Sequence, residues 1–249
     1  MSLSAVVLTF NEAHNIVPCL ESLSWADQLV VFDGGPESPS TDGTVELARQ
    51  AGADVLFHPF RNYAEQRNAA IDQVPADWVF FVDADERATP DLADEVKQVI
   101  RERPEVGWSA PRHNYIFGRL TLGGGWYPDY QFRLFRRGYA RWERPVHEVA
   151  VVNGAQGYLE HALDHHNYAD LPAFKARQNR YNAFEADILF GQGVRAHLHT
   201  PYTQALRQFW WRFVTLGGVQ DGLHGLRLSV LMAYYEMRKY QMLNRLWRL

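Results

Sequence analysis

Strand-like and helix-like segments alternate four times over residues 1–102 of this chain, and few architectures accept that order. The apolar, strand-like segments are Ser4–Phe10, Leu29–Phe32, Asp54–Phe57 and Trp78–Val82. The segments with helical spacing that follow them are Ile16–Leu23, Gly43–Ala51, Tyr63–Val74 and Pro90–Ile100. The alternation predicts an α/β fold with a mostly parallel, doubly wound sheet flanked by helices. A content of 47% hydrophobic residues is enough to bury a core of that size.

In sheets of this kind ligands bind beyond the carboxyl ends of the strands. That rule directs attention to four stretches, at residues 9–12, 33–44, 61–68 and 83–86. The last follows Trp78–Val82, whose nearly continuous apolar character is typical of a strand covered on both faces.

Three acidic residues, Asp83, Asp85 and Glu86, crowd the end of that buried strand. They repel one another unless a cation lies among them, and hard oxygen ligands suit Mg²⁺ or Mn²⁺ that also binds substrate phosphate. Alternatively, acids after a strand cap the next helix. A single cysteine, Cys19, excludes a disulfide framework and a thiolate zinc site, so any metal here has oxygen or imidazole ligands.

The other strand ends carry groups that suit a diphosphate. A glycine-rich turn begins at Asp33-Gly-Gly35, and Ser40–Thr44 leads into a helix start, where backbone amides favour an anion. Asp33 is also placed to accept a hydrogen bond from a base or a ribose hydroxyl, and Arg67 adds a guanidinium group. Each feature alone is equally consistent with a turn, a helix cap or a surface salt bridge. Together they predict a nucleotide-diphosphate site.

At this point the chain resembles the family 2 inverting glycosyltransferases of the GT-A fold. The matching segments are Val6–Glu12, Asp33–Gly35 with Ser40–Thr44, Glu65–Asn68 and Val82–Glu86. The resemblance implies that a nucleotide-sugar pocket is formed by Thr9, Asn11, Glu12, Asp33, Gly35, Arg67, Asp83 and Ala84. It further implies that Asp33 reads uracil or ribose, that Arg67 lies near the phosphates, and that Asp83 and Asp85 hold the metal. An insertion of four residues, Pro36–Pro39, separates the two parts of the second segment.

Within the family the chain is most similar to small bacterial enzymes that add a sugar, often glucose, to the lipopolysaccharide inner core. This likeness depends on Trp126–Arg136, on Val146–Glu148 and on the Asp221–Gly222 region. Inversion by single displacement needs a base for the acceptor hydroxyl. Asp129 is the first candidate, with Glu148 as the second, and Asp129 could instead pair with Arg133 or Arg136.

Histidines and arginines in the second half of the chain leave several roles open. The resemblance suggests His147 as a further metal ligand. His161, His165 and His166 are spaced like alternating strand faces, which favours structural roles over a metal site. Arg133, Arg136 and Arg137 either bind a phosphorylated acceptor or lie on a solvated strand face.

The sequence predicts two regions. Residues 1–170 are expected to form the catalytic domain, with a nucleotide-binding half over about 1–102 and an acceptor half over about 103–170. Residues 171–249 are expected to be a helical C-terminal region, with helices at Ala173–Phe190, Tyr202–Val214 and Leu226–Leu246.

The chain carries a net charge of −4, yet Arg207 to Leu249 contains seven Arg and Lys against Asp221 and Glu236, a balance of +5. Aromatic and basic residues together are typical of interfacial helices on an anionic membrane. A helical hairpin packed on the body or on a partner subunit fits equally well. We find no run of apolar residues long enough to span a bilayer, and no basic region at the start that would predict a signal peptide. The expected location is the cytoplasm, with peripheral contact at the inner face of the cytoplasmic membrane.

The leading functional hypothesis is metal-assisted transfer of a sugar, glucose by resemblance, from a UDP-sugar to a saccharide acceptor such as lipopolysaccharide core. A polyprenyl-phosphate acceptor and a non-catalytic nucleotide-sugar-binding scaffold are the alternatives. A nucleic-acid partner is not expected, because the basic residues lie on one C-terminal stretch without a recognised binding motif.

Overall fold

A computed structural model describes residues 1–144 and 149–248 of the chain. Its strands are β1 Leu3–Thr9, β2 Gln28–Asp33, β3 Asp54–Phe57, β4 Trp78–Asp83, β5 Glu86–Ala88, β6 Gly107–Ala110, β7 Arg112–Ile116, β8 Arg119–Thr121, β9 Gln131–Arg136, β10 Ala140–Glu143, β11 Val149–Val152, β12 Gln156–Tyr158 and β13 Leu163–Tyr168. Its α-helices are α1 Ala13–Ser22, α2 Thr44–Gln50, α3 Tyr63–Gln73, α4 Pro90–Glu102, α5 Leu171–Gly191, α6 Thr200–Trp210 and α7 Gly222–Leu246. All four strand–helix alternations predicted for residues 1–102 are present.

The chain forms two compact units. The first comprises Met1–Arg112 and Tyr130–His165, and the second comprises His113–Asp129 and His166–Leu249. Each unit is therefore built from two separate stretches of sequence.

A seven-stranded sheet organises the first unit, in the order β12-β6-β9-β4-β1-β2-β3. The central strand β1 is parallel to both β2 and β4, and β2 is parallel to β3. Strand β9 is antiparallel to its neighbours β4 and β6. The predicted mixed α/β architecture with a mostly parallel sheet is thus confirmed.

Side chains of the central strands alternate between two hydrophobic cores, one on each face of the sheet. On β4, Phe80 and Val82 belong to the core that includes α1 and α4, whereas Val79 and Phe81 belong to the core that includes α3. All four are fully buried. Burial on both faces explains why this strand reads as a continuous apolar run rather than an alternating one.

Local capping fixes where the helices begin. The Oδ1 of Asn62 accepts a hydrogen bond from the backbone N–H of Glu65 at the start of α3 (2.9 Å). The Oγ1 of Thr89 accepts one from Leu92 at the start of α4 (3.2 Å), where Pro90 occupies the first turn. Because Thr89 caps α4, the acidic residues after β4 are not the cap of the next helix.

The second unit is mainly helical, as predicted for the C-terminal region. Its core contains Phe174 of α5 with Leu228 and Tyr235 of α7. After Trp210 the chain continues as a π-helical turn, Trp211–Thr215, and then as a 3-10 turn, Gly218–Asp221. Across the described helices, no apolar stretch is long enough to cross a bilayer.

Candidate functional site

Polar residues from three neighbouring strands meet at one edge of the large sheet. Thr9 at the end of β1 lies opposite Asp33 at the end of β2, and Leu8 lies opposite Asp83 at the end of β4. The Oγ1 of Thr9 is buried and has no hydrogen-bond partner among the described residues. A buried hydroxyl in this state is costly unless a ligand or water completes it.

The turn after β1 is fastened to the Ser40–Thr44 segment by four hydrogen bonds. The backbone N–H of Asn11 donates to Ser40 Oγ (2.8 Å), and the Oδ1 of Asn11 accepts from the backbone N–H of Thr41 (2.9 Å). The N–H groups of Glu12 and Ala13 donate to Thr44 Oγ1 and Asp42 Oδ2 (2.9 and 3.0 Å). Asn11 adopts a positive φ of 56° within this turn. These contacts hold two of the predicted nucleotide-binding segments together.

Asp33 is fully buried and is engaged by the same segment. Its two carboxylate oxygens accept hydrogen bonds from the backbone N–H and the hydroxyl of Ser40 (2.7 and 2.5 Å). The insertion at 36–39 therefore forms a loop that returns to Asp33. A Cβ atom on Gly35 would lie 2.6 Å from the backbone carbonyl oxygen of Ser38, so close packing requires glycine at this position.

Three arginines surround the acidic residues after β4. The Nη2 of Arg133 donates to Asp83 Oδ2 (2.6 Å) and to Glu86 Oε1 (2.5 Å). Arg112 lies 3.3 Å from Glu86 Oε1, and Arg67 lies 3.8 Å from Asp83 Oδ1. Guanidinium groups of the chain itself thus compensate the charges of Asp83 and Glu86.

Burial and charge pull the pKa values of this network in different directions. Burial acts to raise the pKa of Asp83, but Arg133 and Arg67 outweigh it and hold that pKa well below its usual range. Burial and the neighbouring Asp83 raise the pKa of Glu86 in spite of Arg133. The pKa of Arg133 is raised because both carboxylates stabilise its charge against the cost of burial.

Asp85 is set apart from the arginine network. Its Oδ2 lies 3.4 Å from Nε2 of His165, which stands opposite Glu86 in the antiparallel pairing of β13 with β5. His165 is buried, and Asp85 keeps about a fifth of its side-chain surface exposed. Between the two acids, Ala84 accepts a hydrogen bond through its carbonyl from Arg87 (2.7 Å). The alternation of faces predicted for His165 and His166 is seen, since the first is buried and the second exposed.

Arg67 reaches the same edge from α3. Its guanidinium group lies 5.4 Å from the ring centroid of Phe81 and 5.7 Å from that of Trp142. Aromatic faces on a partly buried guanidinium fix its position without neutralising its charge.

A cavity of about 330 Å³ opens beside this network in the first unit. Arg67 and Arg133 line it together with Ser109, Tyr130, Gln131 and Trp142. Two guanidinium groups, hydrogen-bonding side chains and aromatic rings make a lining suited to a polar, anionic or saccharide ligand.

Asp129 belongs to the second unit, and Arg133 of the first unit binds Asp83 and Glu86. The Oδ2 of Asp129 lies 3.4 Å from the Nδ2 of Asn114, an amide that also donates to the carbonyl of Trp126 (2.7 Å). The other predicted base, Glu148, and the predicted ligand His147 lie outside the described residues.

The glycine-rich loop that leads to Asp129 is held by the turns before α7. Both carboxylate oxygens of Asp221 accept hydrogen bonds, from the backbone N–H groups of Leu122 and Gly123 (3.2 and 2.8 Å). The Nη1 of Arg212 donates to the carbonyl of Gly124 (2.7 Å). A Cβ atom on Gly123 would lie 2.2 Å from the carbonyl oxygen of residue 217, so the two backbones are in direct contact.

Sequence reasoning missed the roles of Arg133, Arg112 and His165 in the first unit. Arg133 lies between Phe132 and Leu134 in the interior strand β9, and its side chain is almost fully buried. A charged residue amid apolar ones in an interior strand signals a buried partner of opposite charge. The sequence offers no comparable signal for Arg112 or His165.

A divalent metal would need oxygen or imidazole ligands near the acidic residues after β4. No group of three or more His, Cys, Asp or Glu side chains converges on one point in residues 1–144 and 149–248. The carboxylate of Asp85 and the imidazole of His165, 3.4 Å apart, are groups that would hold a Mn²⁺ or Mg²⁺ ion together with the phosphate of a bound substrate.

The sequence of the chain is similar to those of known glycosyltransferases. The chain is 29% identical over 255 residues to the lipopolysaccharide core biosynthesis glycosyltransferase LpsC of Rhizobium meliloti (strain 1021), covering 94% of this chain and 91% of the relative. It is 33% identical over 250 residues to an uncharacterized glycosyltransferase of Rickettsia prowazekii (strain Madrid E), covering 93% and 83%.

Among solved structures, glucosyl-3-phosphoglycerate synthase from Mycobacterium tuberculosis, in complex with Mn²⁺, UDP and phosphoglyceric acid, is similar in fold. The TM-score is 0.50 at 17% identity, over 78% of this chain and 80% of that one. This likeness supports the GT-A fold. Residues 4–151, more than half of the chain, match the sequence profile of glycosyl transferase family 2. The chain therefore belongs to glycosyl transferase family 2 and is a glycosyltransferase.

Proposed function

We propose that this enzyme transfers a sugar, glucose by resemblance, with inversion from a UDP-sugar to a saccharide of the lipopolysaccharide core. The single observation that carries the proposal is the convergence of Thr9, Asp33, Asp83 and Arg67 at one edge of the sheet. LpsC, a relative over nearly the whole chain, supports the acceptor class.

The donor nucleotide is assigned to the predicted residues at this edge. Residues 1–102 supply Thr9, Asn11, Glu12, Asp33 and Gly35, together with the acidic motif after β4. The buried, unpartnered hydroxyl of Thr9 supports a ligand at the end of β1. We assign Arg67 to the diphosphate, and the two aromatic rings beside its guanidinium group support this assignment.

We assign the divalent ion to Asp85 with His165, and keep Asp83 at the ribose and metal edge. A bound Mg²⁺ or Mn²⁺ offsets the negative charge that grows on the departing diphosphate. Asp83 is already compensated by Arg133, which makes Asp85 the more available carboxylate. His147 stays a predicted ligand.

Single displacement also requires removal of a proton from the acceptor hydroxyl. Asp129 and Glu148 remain the two predicted bases. Asp129 follows the glycine-rich loop at 123–125, and the Nδ2 of Asn114 lies 3.4 Å from its Oδ2. The cavity lined by Tyr130 and Trp142 is the proposed entry for the saccharide acceptor, in the region of residues 103–170.

The metal-dependent donor site is tested by calorimetric titration of UDP and UDP-glucose with Mn²⁺ and with EDTA. We expect binding that EDTA weakens, and loss of both binding and transfer in Asp85→Ala. Asp94→Ala, at an exposed position of α4, is the matched control and should behave like the wild type. Activity retained in Asp85→Ala, or nucleotide binding indifferent to metal, would refute the metal assignment.

The two candidate bases are separated by Asp129→Asn and Glu148→Gln. The variant that lacks the base should lose about 10²-fold or more in kcat while binding UDP normally. If both variants keep their turnover, neither carboxylate is the base.

A lipid-linked acceptor places the enzyme at the inner face of the cytoplasmic membrane. The polyprenyl-phosphate alternative is favoured only by the basic C-terminal region, and radiolabelled sugar in an acid-labile lipid product would support it. A non-catalytic scaffold has no use for the buried acid–arginine network at a donor edge. Absence of transfer from any nucleotide sugar, with binding intact, would nevertheless favour that role.

A further inference from the structure

The outer side of α6 exposes a row of large apolar residues that has no place in the catalytic proposal. Tyr202, Leu206, Trp210 and Val214 follow one another at four-residue spacing, which puts them along one side of the helix and its π-helical extension. Their exposed fractions are 59%, 72%, 63% and 45%. Exposure of this size over consecutive turns indicates an interaction surface.

A second row lies on α7, the helix against which α6 packs. Leu226, Val230 and Tyr234 are again four residues apart, and all three are exposed. Leu223 in the first turn is 83% exposed. Both rows belong to the second unit, so one helical pair carries them.

The charge around these rows is positive. Residues 188–220 contain three arginines and no Asp or Glu. Arg212 is turned inward to Gly124 and Trp126, but Arg207 on α6 and Arg227 on α7 are exposed. Of the two acids that follow, Asp221 binds the glycine-rich loop and Glu236 pairs with Lys239 (2.9 Å). The exposed helical surface is therefore apolar, aromatic and cationic.

From this combination we infer that α6, its π-helical extension and α7 lie in the headgroup region of an anionic lipid bilayer. Tryptophan and tyrosine prefer the boundary between headgroups and acyl chains, and arginine binds anionic headgroups. A second copy of the chain is a poorer occupant, because it would bring the same positive charge against this one.

The inference deepens the proposed function, since it rests on that proposal for the lipid-bearing acceptor, but it is tested without any substrate. The full chain is mixed with vesicles of phosphatidylcholine alone and with vesicles containing about 30% phosphatidylglycerol, and the bound fraction is measured by flotation. We expect binding to the anionic vesicles only, and weaker binding as salt concentration rises.

Two variants locate the contact. Leu206→Ser with Trp210→Ser should lower the partition coefficient at least about tenfold, because two anchors are lost. Arg207→Gln should lower it about fivefold. The matched controls are Val151→Ser, an exposed valine on β11, and Arg49→Gln, an exposed arginine on α2, and both should bind like the wild type. Unchanged melting temperatures show that the variants are folded.

The inference is overturned if the wild type does not bind anionic vesicles, or if the double variant binds as well as the controls do. It is also overturned if light scattering shows a dimer that the double variant abolishes, since a second copy would then cover this surface. Failure of vesicle binding leaves the titrations with UDP unaffected, and failure of those titrations leaves vesicle binding unaffected, so the two proposals can be rejected separately.

Discussion

Replacement of Arg133 by Met tests whether the acid–arginine network is as tightly coupled as its geometry indicates. Methionine retains most of the apolar stem but removes the guanidinium group that binds both Asp83 and Glu86. Glu86 is fully buried, whereas Asp83 keeps about a third of its side-chain surface exposed. The variant therefore leaves one buried carboxylate that water cannot reach and one that it can.

The expected cost follows from that difference. Removing one partner of a buried ion pair costs about 3–5 kcal/mol, because the other charge stays buried without compensation. Arg112 remains 3.3 Å from Glu86, and Asp83 can be partly solvated, so the lower end of the range applies. We expect a loss of roughly 3 kcal/mol in the free energy of unfolding, which corresponds to about 6–12 °C in melting temperature for a chain of this size.

Urea denaturation followed by tryptophan fluorescence measures this loss. A second variant, Arg133→Met with Glu86→Gln, also removes the uncompensated buried carboxylate of Glu86. It should recover more than half of the lost stability. The reasoning is refuted if the free energy of unfolding of Arg133→Met lies within about 1 kcal/mol of the wild-type value. It is also refuted if adding Glu86→Gln to Arg133→Met lowers the free energy of unfolding further instead of raising it.

Three further predictions concern other contacts. Asp221→Asn weakens the hydrogen bonds to Leu122 and Gly123, so the free energy of unfolding should fall by about 1–2 kcal/mol. The variant should also lower kcat more than the affinity for UDP. Equal losses in kcat and in UDP affinity would argue against a role of Asp221 in positioning the loop. Burial opposes ionisation of Asp42, but hydrogen bonds from Thr44 and Ala13 outweigh it and lower the pKa of this carboxyl. Above pH 4 the wild type should therefore be more stable than Asp42→Asn, by about 0.5 kcal/mol or less because the site is exposed. Denaturation curves should show this difference vanish as the pH falls through the lowered pKa. Burial, and then the charge of Arg119, lower the pKa of His224. The unfolded chain therefore binds the proton at a higher pH than the folded chain does, and the melting temperature should fall as the pH drops below about 6.5. The fall should be smaller in His224→Gln, which has no imidazole to protonate.

The strands of the sheet were predictable because each is marked by its own short stretch of sequence. Each strand of the first 102 residues is an apolar run between turn signals, and the parallel order brings the ends of β1, β2 and β4 to one edge by geometry alone. The candidate residues Thr9, Asp33 and Asp83 could therefore be grouped before any coordinates were known.

The partners of those residues could not be predicted, because they come from distant segments. Arg133 reaches Asp83 only because β9 runs antiparallel to β4, and a single sequence does not reveal which strand fills that position. His165 meets Asp85 through the pairing of β13 with β5, a three-residue strand too short to recognise. The metal expected at the crowded acids stays a prediction, and the arginine that binds Asp83 and Glu86 depends on this long-range pairing.

The contact between the glycine-rich loop and the residues before α7 bears on how the chain can be shortened. Deleting the C-terminal helices to obtain a more tractable protein would also delete the carbonyl of Leu216, which accepts the backbone N–H of Gly124 at 2.8 Å, and the carboxylate of Asp221. The C-terminal region is thus not separable from the loop at 122–125, because both belong to the second unit and bind each other. Exchange of the C-terminal region between relatives should succeed only when this loop is exchanged with it.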